Sequence, residues 1–181
     1  GGRLREGRRG AKRADAIITT KCPPDLSLEE KGKIRQKIAR YSAPGTPCFF
    51  ASVRYGAVTD FDGSEISAQS VVLVTGIAQP QPLEKYVADH FDLAQLISFS
   101  DHHNYSVEEV AEMLKSLKND QMILTTEKDK VKLRPLALEL GAAARFCYLS
   151  IEVDFGSETE AFQAWLQAHI VEPLKARTVS V

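Results

Sequence analysis

From Val71 onward the sequence alternates short, β-branched apolar runs with polar segments of helical spacing. That alternation limits the possible folds more than any other feature of the chain. "VVLVTGIA" (71–78), "LAQLISF" (93–99), "QMILTT" (121–126) and "ARFCYLSIEVDF" (144–155) read as strands. The first of them is apolar almost throughout, as in a strand covered on both faces. "PLEKYVADH" (82–90), "VEEVAEMLKSLK" (107–118) and "EKDKVKLRPLALEL" (127–140) read as helices between them, and "AFQAWLQAHIVEPLK" (161–175) as a closing helix. Ser106 with Glu109, and Ser157 with Glu160, have capping-box spacing at two helix starts. Pro80 stands where a helix start tolerates it, and Pro135 predicts a kink or a restart. Strands that alternate with helices predict a three-layer α/β fold: a parallel sheet flanked by helices, Rossmann-like in its layers.

Upstream the pattern changes. "RADAIITTK" (13–21) is a further buried-strand candidate with "TKCPPD" as its loop, and Ser27 with Glu30 caps a helix over 28–41. "TPCFFASVRYG" and "AVTDFDG" read as a β-hairpin pivoting near Gly56, just after the turn-forming "APGTP". The expected organisation is therefore the tail of one α/β domain (1–45), a two-stranded linker (46–70), a second α/β domain (71–175) and a short tail (176–181). No internal repeat or low-complexity tract interrupts it.

At 181 residues and 44% hydrophobic content the chain can bury one sizeable core and part of another. A net charge of −1 gives no global case for binding nucleic acid. The first 13 residues differ, with Arg3, Arg5, Arg8, Arg9, Lys12 and Arg13 against one acid, Glu6. Such a cluster suits phosphates or lipid head groups, or is a solvated helix face. Cys22, Cys48 and Cys147 form no C-x-x-C pair, which suggests neither a disulfide framework nor zinc. No signal peptide and no membrane-length apolar run is evident, so a cytoplasmic protein is expected. The start at Gly1, without Met, suggests a processing or cloning boundary.

In parallel α/β sheets ligands bind beyond the carboxyl ends of the strands. Four loops fall on that edge: Thr20-Lys21, Thr75-Gly76, Asp101-His102-His103 and the stretch from Thr125 to Asp129. The "DHH" triplet is the richest. A histidine takes a proton from a hydroxyl near neutral pH, and a neighbouring carboxylate fixes its tautomer. The alternative is a polar loop whose Asp101 or Asn104 bonds backbone amides; no metal ligand set with recognisable spacing is present. Lys128 falls at a helix start, where its charge opposes the helix dipole. The alternative there is a Thr126–Asp129 cap with Lys128 in water. Thr20-Lys21 after an apolar strand is similar to base-reading loops of nucleotide-binding sheets. No G-x-x-x-x-G-K-[ST] phosphate loop can be aligned anywhere in the chain.

Taken in order, "GRLRE", "RADAIITTKCP", "FFASVRYG", "VVLVTGIAQP", "FSDHHNYS" and "LTTEKDKVKL" resemble the C-terminal half to two-thirds of the tetraacyldisaccharide 4'-kinases of Gram-negative bacteria. The "RYG" and "TTKCP" variants look most like the Bacteroidetes branch, and the resemblance spans nearly all of residues 2 to 155. It implies a P-loop-kinase-like fold of two α/β domains joined by a two-stranded linker. It further implies transfer of the γ-phosphate of ATP, with Mg²⁺, to the 4'-hydroxyl of tetraacyldisaccharide 1-phosphate in lipid A biosynthesis. The implied place is the cytoplasmic face of the inner membrane, and the implied partner is the family's own N-terminal P-loop domain. On matching positions, His102 supported by Asp101 would help activate the sugar hydroxyl, with His103 as its neighbour. Arg5 and Glu6 would lie near nucleotide or acceptor phosphate, and Lys128 and Asp129 would line the same cleft; Lys21 joins them as a nucleotide-side residue. The family's phosphate loop, Mg²⁺-holding acidic pair and membrane-associating helix have no counterpart in this sequence, so the chain alone is expected to be inactive.

Two other readings are compatible with these motifs. A metal-dependent phosphoesterase of the DHH class shares the triplet, but needs earlier aspartates that Asp15 and Asp60 do not supply in a D-x-D. A non-catalytic α/β interaction module requires no chemistry at all.

Overall fold

The computed structural model describes residues 7–171, which group into two units. The first comprises residues 7–54 and 152–171, and the second is Tyr55–Ile151. The chain crosses from one to the other inside two strands, β3 (Ser52–Asp60) and β7 (Phe146–Asp154).

In the first unit, β1 (Ile17–Thr19) pairs in parallel with β2 (Cys48–Phe50), in the register Ile17↔Cys48 to Thr19↔Phe50. Helix α1 (Leu28–Ala39) lies between them in sequence. It begins with the expected box: the Ser27 side chain accepts from the Glu30 N–H, while Glu30 accepts from the Ser27 N–H at 3.0 Å. Phe49 and Phe50 are buried, and Phe49 meets Phe162 of α5 (Thr159–Leu166) edge to face at 5.3 Å. The predicted Ser157–Glu160 box does not form, and α5 starts without a side-chain cap. The residue at its N-cap, Glu158, is drawn inward instead. Its carboxylate accepts from the Phe50 N–H at 3.0 Å, from Lys31 at 3.3 Å and from Arg35 at 2.8 Å. Three donors, two of them cationic, outcompete one local amide.

The second unit carries most of a five-stranded sheet in the order β3-β7-β6-β4-β5. Strands β4 (Ser70–Thr75), β5 (Asp92–Ser98), β6 (Gln121–Thr126) and β7 run parallel, as the strand–helix alternation predicts. Helices α2 (Gln81–His90), α3 (Val107–Ser116) and α4 (Glu127–Glu139) make the crossovers. Every residue of β4 is buried, which explains its unbroken apolar sequence. Alternate residues of β4 face two cores. Val72 and Val74 pack with Val110, Met113, Leu133 and Ala137 from α3 and α4. Val71 and Leu73 pack with Leu83 and Val87 from α2. Each such fully buried side chain contributes about 1.5–3 kcal/mol.

Two local expectations change. The chain does not reverse at Gly56, since β3 runs through it to Asp60. The reversal follows at Asp60–Ser64, where Asp60 Oδ1 accepts from the Asp62 and Ser64 N–H groups, both at 2.9 Å. Gly63 supplies the left-handed residue there at φ +100°. Helix α4 is also not restarted at Pro135. Leu133 and Ala137, on either side of the proline, are fully buried and hold both halves against the sheet.

Candidate active site

Strands β4, β5 and β6 end side by side, and their carboxyl ends carry Thr75-Gly76, the loop from Phe99 to Ser106, and Thr126. The centre of this edge is Asp129, which is 1% exposed. Thr126 caps α4 by accepting from the Asp129 N–H at 3.1 Å. Asp129 Oδ2 in turn accepts from the Thr126 hydroxyl at 2.8 Å and the Gly76 N–H at 2.9 Å. The carboxylate therefore ties the end of β4 to the first turn of α4, and it is enclosed by its own fold. The space beside position 76 is tight for any side chain. A Cβ there would lie 3.2 Å from both Asp129 Oδ1 and the Tyr105 hydroxyl oxygen, and 3.4 Å from the Ser100 carbonyl.

Tyr105 closes this pocket from the loop. Its hydroxyl is buried with no hydrogen-bond partner among the described residues. Burial first, and the Asp129 charge second, push the phenol pKa well above its ordinary value.

Lys128, on the same turn as Asp129, faces outward. Its Nζ donates to Asp101 Oδ1 at 2.5 Å and to the Gly76 carbonyl at 3.5 Å. The opposing helix dipole is thus answered by a specific carboxylate. That hydrogen bond is the main cause holding the Asp101 carboxyl below the usual range, and His102 adds to it. His102 Nε2 lies 3.6 Å from Asp101 Oδ2, with 77% of its side chain exposed. Its backbone is left-handed at φ +64°, a conformation that costs a residue with a Cβ roughly 1–2 kcal/mol. Strain of this kind at a polar loop marks a position held for its geometry.

His103 has a different environment. Its ring stacks on Phe99 at 4.4 Å and meets Tyr105 edge-on at 5.1 Å. Its Nε2 is 3.1 Å from both Glu109 oxygens, with the proton assigned to that nitrogen. Glu109 also accepts from the Ser106 N–H at 2.8 Å, completing the predicted capping box of α3. That backbone bond, then His103, lowers the Glu109 pKa. His103 is an anchor of the loop, and His102 is the histidine it presents.

The adjacent pair "HH" thus divides its roles, as neighbouring loop residues pointing different ways must. The residue that sequence reasoning missed is Lys132. Its Nζ donates to the His102 carbonyl at 3.0 Å and to the His103 carbonyl at 2.7 Å. Lys132 is four residues after Lys128, one helical turn on, and that spacing is the signal that could have found it. Asp101, His102, His103, Lys128 and Asp129 all belong to the second unit. Lys21 follows β1 in the first unit, exposed and left-handed at φ +58°. It and His102 are the non-glycine residues with positive φ among the described ones. Arg5 and Glu6 lie outside the described residues. No group of three or more His, Cys, Asp or Glu among the described residues is placed to hold a metal ion. No helix among them is long and apolar enough to cross a membrane.

A profile of the family described as tetraacyldisaccharide-1-P 4'-kinase matches residues 1–171. The chain belongs to that family. It is 34% identical over 182 residues to the tetraacyldisaccharide 4'-kinase of Cytophaga hutchinsonii, covering 98% of this chain and 51% of that protein. It is 32% identical to the Flavobacterium johnsoniae enzyme of the same name, covering 96% of this chain and 50% of that protein. These relatives are from Bacteroidetes, the branch indicated by the "RYG" and "TTKCP" variants. Among solved structures, LpxK from Aquifex aeolicus, crystallised in complex with ATP, aligns with a TM-score of 0.56 at 20% identity. The alignment covers 92% of this chain and 46% of that one, and it shows a shared fold. The chain spans about half the length of the curated relatives it matches.

Proposed function

We propose that this chain is the C-terminal part of a kinase that transfers the γ-phosphate of ATP to the 4'-hydroxyl of tetraacyldisaccharide 1-phosphate in lipid A biosynthesis. Membership of the family carries the reading, and the exposed, strained His102 beside Asp101 supports it. In this reading residues 1–45 are the tail of a nucleotide-binding α/β domain, 46–70 a two-stranded linker and 71–175 the C-terminal α/β domain. The lipid acceptor is met at the cytoplasmic face of the inner membrane.

His102 takes the proton from the acceptor hydroxyl. Asp101 orients its ring, and Lys128 holds the Asp101 carboxylate in place. A positioned base of this kind contributes roughly 10²–10⁴-fold. The larger share of phosphoryl transfer, charge neutralisation at the phosphates, falls to a phosphate loop and Mg²⁺. No group of three or more His, Cys, Asp or Glu among the described residues is placed to hold a metal ion, and Mg²⁺ is assigned to none of them. Lys21, Arg5 and Glu6 serve the phosphate side. His103 and Asp129 act by holding the loop and the strand ends in place.

The test is disaccharide phosphorylation by the full-length protein carrying His102→Ala or His103→Ala. His102→Ala is expected to lose about 10²-fold or more in kcat, and His103→Ala less. Equal, near-normal turnover by both variants would overturn the catalytic reading of this loop.

A further inference from the structure

His102 reaches solvent from a backbone conformation that histidine does not choose by itself, and the question is what holds it there. The covalent neighbours do not suffice. Asp101 and His103 are fixed through their side chains, by Lys128 and by Glu109 with Phe99. Those contacts anchor the loop on both sides of His102, and the His103 N–H donates to the Ser100 carbonyl at 3.1 Å to close the turn that contains it. The side chain that acts on the carbonyls of this turn is Lys132, whose ammonium takes those of both His102 and His103. Two acceptors on successive peptides, 3.0 and 2.7 Å from one cation, define the direction of both planes. Among the described residues no carboxylate lies within ion-pair reach of Lys132. Its charge is therefore directed wholly at the loop backbone, a charge-assisted arrangement stronger than a neutral hydrogen bond. Lys132 is borne by α4, which the buried Leu133 fixes against the sheet, so the cation is offered from a rigid support.

We infer that Lys132 is a positioning residue for His102: by holding the carbonyls of His102 and His103 it secures, beside the Ser100–His103 backbone bond, the left-handed turn that presents the His102 ring. This inference rests on the catalytic reading of His102 above. It predicts that loss of the ammonium misplaces the base without altering what the site binds. A misplacement of about 1 Å in such a group costs on the order of 10²-fold in rate.

The experiment pairs kinetics with NMR on Lys132→Met and Lys132→Arg. In this chain, Lys132→Met is expected to shift the backbone amide resonances of residues 101–104 while those of β4 stay unchanged, which also establishes that the variant is folded. In the full-length protein, Lys132→Met should lower kcat roughly tenfold to a hundredfold with KM within about twofold. Lys132→Arg, whose guanidinium can also reach two carbonyls, should recover most of the loss. Unmoved loop resonances in Lys132→Met would overturn the inference, as would a shifted loop with normal kcat. If the unsubstituted full-length protein phosphorylates no disaccharide, the kinase reading itself fails and the positioning role falls with it, while the amide shifts still report whether Lys132 holds the turn.

Discussion

The Gly76 N–H donates to Asp129 Oδ2 at 2.9 Å, joining residues 53 positions apart at the point where β4 gives way to its loop. With the Thr126–Asp129 bonds and the buried Leu133, that bond fixes how the end of β4 and the start of α4 meet, and so where α4 carries Lys128 and Lys132. Replacing Asp129 with Ala leaves the buried Gly76 amide and Thr126 hydroxyl without their acceptor. A loss of about 2–3 kcal/mol in urea unfolding is expected. A loss below 0.5 kcal/mol would mean that the carboxylate is dispensable to the fold.

The space beside Gly76 is shared by Tyr105 and Asp129, so substitutions there are coupled. Gly76→Ala is expected to destabilise by roughly 1–3 kcal/mol. Tyr105→Phe removes an unpartnered buried hydroxyl and is expected to be neutral or stabilising alone. In the Gly76→Ala background it should restore at least about 0.5 kcal/mol, read as a coupling energy in a double-mutant cycle. Strict additivity would place the clash elsewhere.

The raised pKa of Tyr105 links stability to alkaline pH. The group is neutral when protonated, and its folded pKa lies above its unfolded value of about 10. Its contribution is therefore complete below pH ~10 and is lost as pH rises further toward the folded value. Thermal unfolding followed from pH 8 to 11 should show a falling midpoint above pH ~10, and a smaller fall in Tyr105→Phe. Identical slopes in the two proteins would remove Tyr105 as a cause.

Histidines 102 and 103 should separate in stability as well as in rate. His102→Gly relieves the left-handed backbone and loses only exposed side chain. Stability unchanged or raised by up to about 1 kcal/mol is expected. His103→Ala removes the Phe99 stack and the Glu109 partner and is expected to cost about 1–2 kcal/mol. Guanidinium denaturation of both variants decides this; the opposite ranking would exchange the roles assigned to the two rings.

What the sequence revealed well were features with short-range causes. The parallel strands follow from unbroken apolar runs such as Val71–Val74, and two capping boxes, at Ser27 and Ser106, formed as spaced. The third failed because Glu158 answers to residues more than a hundred positions away, which no local spacing encodes. The hairpin reverses beyond Gly56 because Asp60, an Asx acceptor followed by Gly63, makes the turn. At the site, "DHH" and "TEKD" were visible as rule-breaking polar clusters. Which histidine is presented was not, because Phe99, Tyr105 and Glu109 decide it from three different places in the chain.

The first unit is closed by a residue that is synthesised late. Glu158 joins Lys31, Arg35 and the Phe50 amide across 127, 123 and 108 positions, with the whole of Tyr55–Ile151 emerging from the ribosome in between. Chain growth runs at about 5–20 residues per second, so the segment ending at Arg54 waits roughly 5–20 seconds before the acceptor shared by the Phe50 amide and its two cations is made. The most vulnerable interval in the making of this unit is the one before Glu158 arrives.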